Sequence, residues 1–188
     1  MHSYLTIYKH VRYRSRLEAK WAAFFDLLGW RHQYEPFDLK GWIPDFLIRG
    51  HKEVLVEVKP IGDIEQFEGP KFLNALVQSD RYGTELLVVG HTIFKANESE
   101  GKSGPAIGWL GEFFKDKASD PKEAYWFAKA ILNRNPNWGF FHALGSYEDR
   151  ITGIHEGDHH LVIPSDQEVQ LLWAEAGNEV QWKGKNAS

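Results

Sequence analysis

Three observations in this chain predict a mixed α/β fold with the element order helix, three strands, helix, strand. An apolar stripe of Leu17, Trp21, Phe24 and Leu28, with Phe25 alongside, recurs at helical spacing. Two strand-like runs, Trp42–Arg49 and Glu53–Lys59, flank the turn Gly50-His51-Lys52 and read as a hairpin. A helical segment opening at Pro70 then separates the second run from the apolar strand Glu85–Val89. A helix that connects two strands as a crossover sets them parallel, so the sheet should be mixed.

Taken in order, the first helix runs from about Ser15 to Leu28, and Gly29 supplies its stop. Trp30 to Leu39 is strand-like, with Tyr34 and Phe37 as aromatics and Pro36 marking an edge or a bulge. The hairpin follows, and Pro60 ends it while pressing Lys59 toward extended geometry. Ile61 to Gly69 reads as a loop. Pro70 to about Arg81 reads as a helix with Leu73, Leu76 and Val77 on one face.

Beyond Gly90 the pattern weakens. Glu98 to Pro105 is polar and rich in glycine and serine. Asp120-Pro121 reads as an N-cap and first-turn proline opening a helix through about Leu132. Trp138–Leu144 reads as a strand, and Ser165 or Asp166 as the cap of a last helix ending near Gly177. The expected organisation is a core over residues 1–95 and a helical and strand extension over 96–188 packed on that core. There are no internal repeats.

With 188 residues the chain is one domain, or one domain with an appendage. The lack of cysteine excludes disulfides and thiolate metal sites, and fits a reducing compartment. No apolar run approaches membrane-spanning length, so the expectation is a cytosolic protein with no membrane partner. A net charge of −4 counts against a strongly electrostatic nucleic-acid binder, though distribution matters more than the sum.

The hairpin carries the chemistry. If its turn centres on His51, Asp45 lies across from Glu57 on one face of the sheet. Lys59 shares that face, while Val56 and Val58 point into the core. Paired carboxylates repel unless a cation sits between them, and a hard divalent ion with oxygen ligands is the usual solution. The alternative is a surface salt bridge. Against it, the alternating apolar residues imply a half-buried strand, where unpaired acids are costly.

Pro44-Asp45 followed by Glu57-Val58-Lys59 resembles the signature of the PD-(D/E)XK nuclease superfamily. The run Arg14-Ser15-Arg16-Leu17-Glu18-Ala19-Lys20-Trp21-Ala22 is similar to the opening of small nuclease-like proteins of phages and prophages. The resemblance covers Val11 to about Gly90. It implies a restriction-endonuclease-like αβββαβ core and a DNA phosphodiester hydrolase, with 5′-phosphate and 3′-hydroxyl products. Asp45 and Glu57 would ligate Mg²⁺ or Mn²⁺, helped by the Val58 carbonyl, with Glu18 as a third or water-mediated ligand. Lys59 would orient or deprotonate the attacking water and steady the developing charge. Glu18 also reads as a boundary residue of the helix, paired with Arg14 one turn earlier.

Arg12, Arg14, Arg16 and Lys20 cluster beside Glu18 and form the expected phosphate-binding group, with a solvated helix face as the bland reading. Gln78 and Tyr82 match the Gln-x-x-x-Tyr element of the RecB-like branch of the superfamily, which implies a DNA-positioning role. His155 to His160 lacks helical ligand spacing and reads as a solvated loop. Gly101-Lys102-Ser103 is no P-loop, because Ala96 stands where its first glycine is required. The expected enzyme is an endonuclease of phage or mobile-element type, acting as a homodimer, with a partner protein or on a special structure. Two rivals remain. One is a catalytically silent DNA- or protein-binding module with the same fold. The other is a small-molecule hydrolase whose pocket uses some of the eight tryptophans.

Overall fold

The computed structural model describes residues 5–79, 81, 83–113, 123 and 125–181. Two short strands, β1 (Thr6–Tyr8) and β2 (Val11–Tyr13), pair as an antiparallel hairpin ahead of the first helix. Neither is expected from the sequence, since three-residue strands leave too short a pattern. Helix α1 (Arg16–Leu27) starts at the N-cap Ser15, whose hydroxyl accepts the Glu18 N–H. Gly29 follows with a φ of 73°, a left-handed conformation that glycine adopts without strain.

Strand β3 (His32–Tyr34) is far shorter than the expected run to Leu39, because Glu35 turns the chain into the left-handed region. Strand β4 (Phe46–Arg49) pairs with β5 (Glu53–Val58), with Phe46 opposite Val56 and Arg49 opposite Glu53. Those pairs centre the turn on His51, as expected. Trp42–Asp45 precede β4 as irregular backbone rather than belonging to it.

A 3-10 turn over Ile64–Gln66, capped by Asp63, interrupts the loop after β5. Helix α2 (Pro70–Val77) is shorter than expected and ends with Gln78 as its C-cap. Strand β6 (Glu85–Val89) then lies parallel to β5, with Glu57 opposite Val88.

The second half departs most from expectation. Strand β7 (Phe94–Ala96) and the ten-residue strand β8 (Gly104–Phe113) have no counterpart among the expected elements. The helix expected to run from Asp120 through about Leu132 is a correction. Asp120 and Pro121 lie outside the described residues, and Tyr125–Arg134 form strand β9. Ala128, Lys129 and Ala130 favour helix, yet β9 is hydrogen-bonded to β8 on one side and to β10 (Trp138–His142) on the other. Pairing on both edges overrides so weak a local preference. Helix α3 (Asp166–Glu179) is capped by Ser165, as expected.

All the strands after β2 form one mixed sheet in the order β10-β9-β8-β6-β5-β4-β3, with β7 beside β8. Strand β8 runs antiparallel to both β6 and β9, so residues on both sides of position 96 share this sheet. Glycine at 108 permits the close approach of β8 to β6, since a Cβ there would run into the Val88 backbone.

Both faces of the sheet are covered. Val54, Val56 and Val58 pack under α1 and α3 with Trp21, Phe24, Phe25 and Trp173. Leu47, Leu55 and Leu86 pack against Phe72 and Leu76 of α2. Trp21, Trp30, Trp109 and Trp173 are all buried, so these tryptophans furnish packing rather than a pocket. Among the described residues, no helix is long and apolar enough to cross a membrane.

Candidate functional site

The residues before β4 and at the end of β5 meet α1 at one edge of the sheet. There a cleft of about 540 Å³ is lined by Arg14, Glu18, Asp45, Glu57, Val58 and Lys59, with Gly41–Ile43 forming one wall. Packing sets each carboxylate. The Trp21 indole N–H donates to the Gly90 carbonyl over 2.9 Å, tying α1 to the end of β6. Glu18, about one turn earlier, emerges over the cleft at the edge of the buried stripe. Its carboxylate accepts the Tyr34 hydroxyl at 2.6 Å and the Ser15 hydroxyl at 2.9 Å.

Asp45 is held at both ends. Its backbone carbonyl accepts the Glu35 N–H at 2.9 Å, and its Oδ2 accepts the Val58 N–H at 2.7 Å. Its Oδ1 accepts from Arg14 Nη2 at 2.6 Å. Glu57 points to the same side of the hairpin. Its Oε1 lies 2.6 Å from Lys59 Nζ, and its Oε2 accepts the Trp42 indole N–H at 3.2 Å. The Lys59 backbone N–H donates to Val89, which extends the β5–β6 pairing by one residue. Pro60, with no N–H to give, ends that pairing.

Asp45 and Glu57 are only 4% and 5% exposed, whereas the Lys59 side chain is 44% exposed. Burial, and then the Glu57 charge, push the Asp45 carboxyl up to about 7. Burial also raises Glu57, against the opposing pull of Lys59. Two acids whose charged forms are disfavoured by their surroundings, at a solvent-open cleft, form a site that gains from added positive charge.

Arg14 supplies part of that charge. Its guanidinium bridges Asp45 and Glu35, the latter at 3.0 Å, with the Glu18 carboxylate 3.9 Å away. Among the described residues, no group of three or more His, Asp or Glu side chains converges as a ready-made cation cage. The oxygens of Glu18 are engaged by Ser15 and Tyr34 instead.

The structure therefore brings Glu18, Asp45, Glu57, Val58, Lys59 and Arg14 together. The other sequence candidates are placed elsewhere. Arg12 is exposed on β2, and Arg16 is exposed at the first position of α1. Lys20 is half-buried with Nζ 3.8 Å from the centre of the Trp173 ring, and burial, with the Arg16 charge, lowers its pKa. Gln78 is exposed at the end of α2 and does not line the cleft. Tyr82 lies outside the described residues.

Sequence reasoning assigns no role to Ser15, Tyr34 and Trp42, which orient the two flanking glutamates. The Ser-x-x-Glu spacing at 15–18 is a recognisable helix-start signal and is the cue that could have found Ser15. Nothing local marks Tyr34 or Trp42, whose partners are 16 and 15 residues away. Compared with known proteins, the chain matches no family model, no curated sequence and no solved structure.

Proposed function

We propose that this chain is a divalent-metal-dependent nuclease of the PD-(D/E)XK type, hydrolysing DNA phosphodiesters as an endonuclease, either as a homodimer or with a partner protein. The observation that carries the reading is the buried pair Asp45 and Glu57. The two acids sit on neighbouring antiparallel segments at an open cleft, with the Lys59 ammonium resting on Glu57. The order α1-β3-β4-β5-α2-β6, with β5 and β6 parallel, is the one expected of a restriction-endonuclease-like core and supports the same reading.

The donor set fits Mg²⁺ or Mn²⁺. It consists of oxygens, and its two buried carboxyls have raised affinities for protons that a bound cation would relieve. Asp45, Glu57 and the Val58 carbonyl would hold the ion, with Glu18 behind them. When bound, such an ion supplies Lewis-acid stabilisation of the phosphate and lowers the pKa of water. Lys59 presents N–H groups that orient the incoming water and meet charge developing on the phosphate. Tyr34 and Ser15 fix the direction of the Glu18 carboxylate, and Trp42 does the same for Glu57.

The test is incubation with circular and linear, single- and double-stranded DNA in Mg²⁺ and in Mn²⁺. Cleavage by the wild type but not by Asp45→Asn is the expected result. Absence of cleavage on every substrate together with absence of Mn²⁺ uptake refutes the reading. One observation favours a catalytically silent binding module: Arg14 and Lys59 already pair with the two acids without any added cation. Calorimetric titration with Mn²⁺ separates the two, since the silent module would take up no ion.

A further inference from the structure

We infer that Arg14 is an exchangeable internal counter-cation, which occupies the open oxygen of Asp45 until a divalent ion replaces it. The released guanidinium is then available to grip a substrate phosphate. The inference rests on the metal-site reading above and adds a residue that controls entry to that site.

The two oxygens of Asp45 are not equivalent. Oδ2 is committed to the Val58 N–H in a buried hydrogen bond that belongs to the hairpin itself. Oδ1 is the oxygen left for a ligand, and Arg14 Nη2 sits on it at 2.6 Å. A guanidinium and a divalent ion on one oxygen atom would be like charges within a few ångströms, so the two compete for it.

Arg14 is placed to leave. It precedes the N-cap of α1 as irregular backbone, and its side chain is 54% exposed, against 5% for the Asp45 side chain. Lys59 differs, because it sits on Glu57 Oε1 and leaves Oε2, which meets only the neutral Trp42 indole N–H, for an ion. Glu35, its side chain 36% exposed, stands 3.0 Å from Arg14 Nε and can retain the guanidinium at the cleft rim once Asp45 is taken. An arginine held at the rim presents a planar fork suited to phosphate oxygens. The same residue thus keeps the acidic site neutralised when empty and favours an anionic substrate when filled.

Arg14→Gln removes the competing charge from a mostly exposed position and tests the exchange by Mn²⁺ calorimetry without DNA. Loss of one competing ion pair at a half-exposed site should tighten Mn²⁺ binding by about tenfold. In the wild type, Ca²⁺ should shift the Arg14 Nε–H resonance in nitrogen-detected spectra, while Asp45→Asn should abolish that response. With Ca²⁺ present, Arg14→Gln should weaken DNA binding and lower the salt slope by about one unit. Equal or weaker Mn²⁺ binding by Arg14→Gln, with the wild type binding normally, overturns the exchange and leaves the metal site standing. Failure of both proteins to bind Mn²⁺ overturns the metal-site reading and the exchange together.

Discussion

Val58 and Asp45 are locked across the β4–β5 hairpin by a buried hydrogen bond, in which the Val58 N–H donates to Asp45 Oδ2 over 2.7 Å. The bond serves two ends. It satisfies a backbone donor where β4 has not yet begun, and it turns the second carboxylate oxygen toward the cleft. A change at position 45 therefore touches stability and chemistry at once. Asp45→Ala would strand the Val58 N–H at a cost of about 1–3 kcal/mol, whereas Asp45→Asn keeps an acceptor. Urea unfolding of the two variants should rank them in that order, and the asparagine form is the proper control for loss of function.

The three site residues should separate by what they lose. Asp45→Asn and Glu57→Gln remove charge from the proposed ligand set, so both should lower Mn²⁺ affinity and abolish cleavage. Lys59→Ala removes the group proposed to act on water and phosphate, so Mn²⁺ binding should persist while the rate falls by about 100-fold or more. Calorimetry and single-turnover cleavage on the same preparations would check both. A Lys59→Ala enzyme of full activity would remove Lys59 from the chemistry.

Arg150 is fully buried at the other end of β5 and β6 from the cleft. It pairs with Glu85 at 2.8 Å and Glu112 at 2.6 Å, and donates to the carbonyls of Ser146 and Glu148. The cluster joins β6 and β8 to the segment after β10. Arg150→Met would take the shared guanidinium from both acids and both carbonyls, leaving Glu85 to Lys52 and Glu112 to the Ser146 N–H, and breaking such a buried pair costs about 3–5 kcal/mol. Urea unfolding measures that loss, and the surviving folded fraction should cleave normally.

The legible part of this chain was the part written in local patterns. The stripe of Leu17, Trp21 and Phe24 and the stop at Gly29 mark α1, and the symmetry about His51 marks the register that sets Asp45 opposite Glu57. Strand β8 was hidden because Gly104, Pro105, Gly108 and Gly111 break any strand pattern, yet close packing against β6 and β9 makes its glycines useful. Strand β9 reads as helix because Asp120-Pro121 has the form of a helix start, although Tyr125, Trp126, Phe127 and Ile131 favour a strand and long-range pairing on both edges fixes it as one. The acids of the site were readable as residue types at a spacing. Tyr34, Trp42 and the Arg14–Asp45 pair were not, since each depends on contacts between segments far apart in the chain.

His142 makes an acid-sensitive contribution to the fold. It is fully buried, its Nε2 faces the Trp126 carbonyl at 3.1 Å, and its Nδ1 accepts the Leu144 N–H. That partner set needs the neutral ring, and burial lowers its pKa below the ordinary 6.5. A base with a lowered folded pKa binds fewer protons folded than unfolded. Its contribution is therefore complete above pH 6.5 and is lost as the pH falls from there toward the folded value. The raised Asp45 carboxyl takes up its proton in the folded state near pH 7 and acts in the opposite direction, so the His142 contribution is read by difference. Below about pH 6.5 the urea midpoint of the wild type should fall relative to that of His142→Gln. A constant difference between the two from pH 8 to pH 5 would assign the pH dependence to other groups.

The basic residues around α1 are not equivalent, and a salt titration should show it. Arg12 and Arg16 are exposed, whereas Lys20 lies 3.8 Å over the Trp173 ring with its pKa lowered by burial. Removing one cation that neutralises a phosphate reduces the slope of log affinity against log salt by about one unit. If the proposed phosphate track starts at α1, Arg16→Ala should therefore weaken DNA binding and flatten that slope by this amount, without shifting affinity for the proposed metal. Lys20→Ala should leave the slope unchanged and cost about 1 kcal/mol of stability through weaker packing of α1 on α3. Comparing the single variants with the double one, by DNA binding over a range of salt and by urea unfolding, distinguishes the roles. A slope lowered by Lys20→Ala would mean that Lys20 leaves Trp173 to reach the DNA. A slope unaltered in Arg16→Ala would move the phosphate track away from the start of α1.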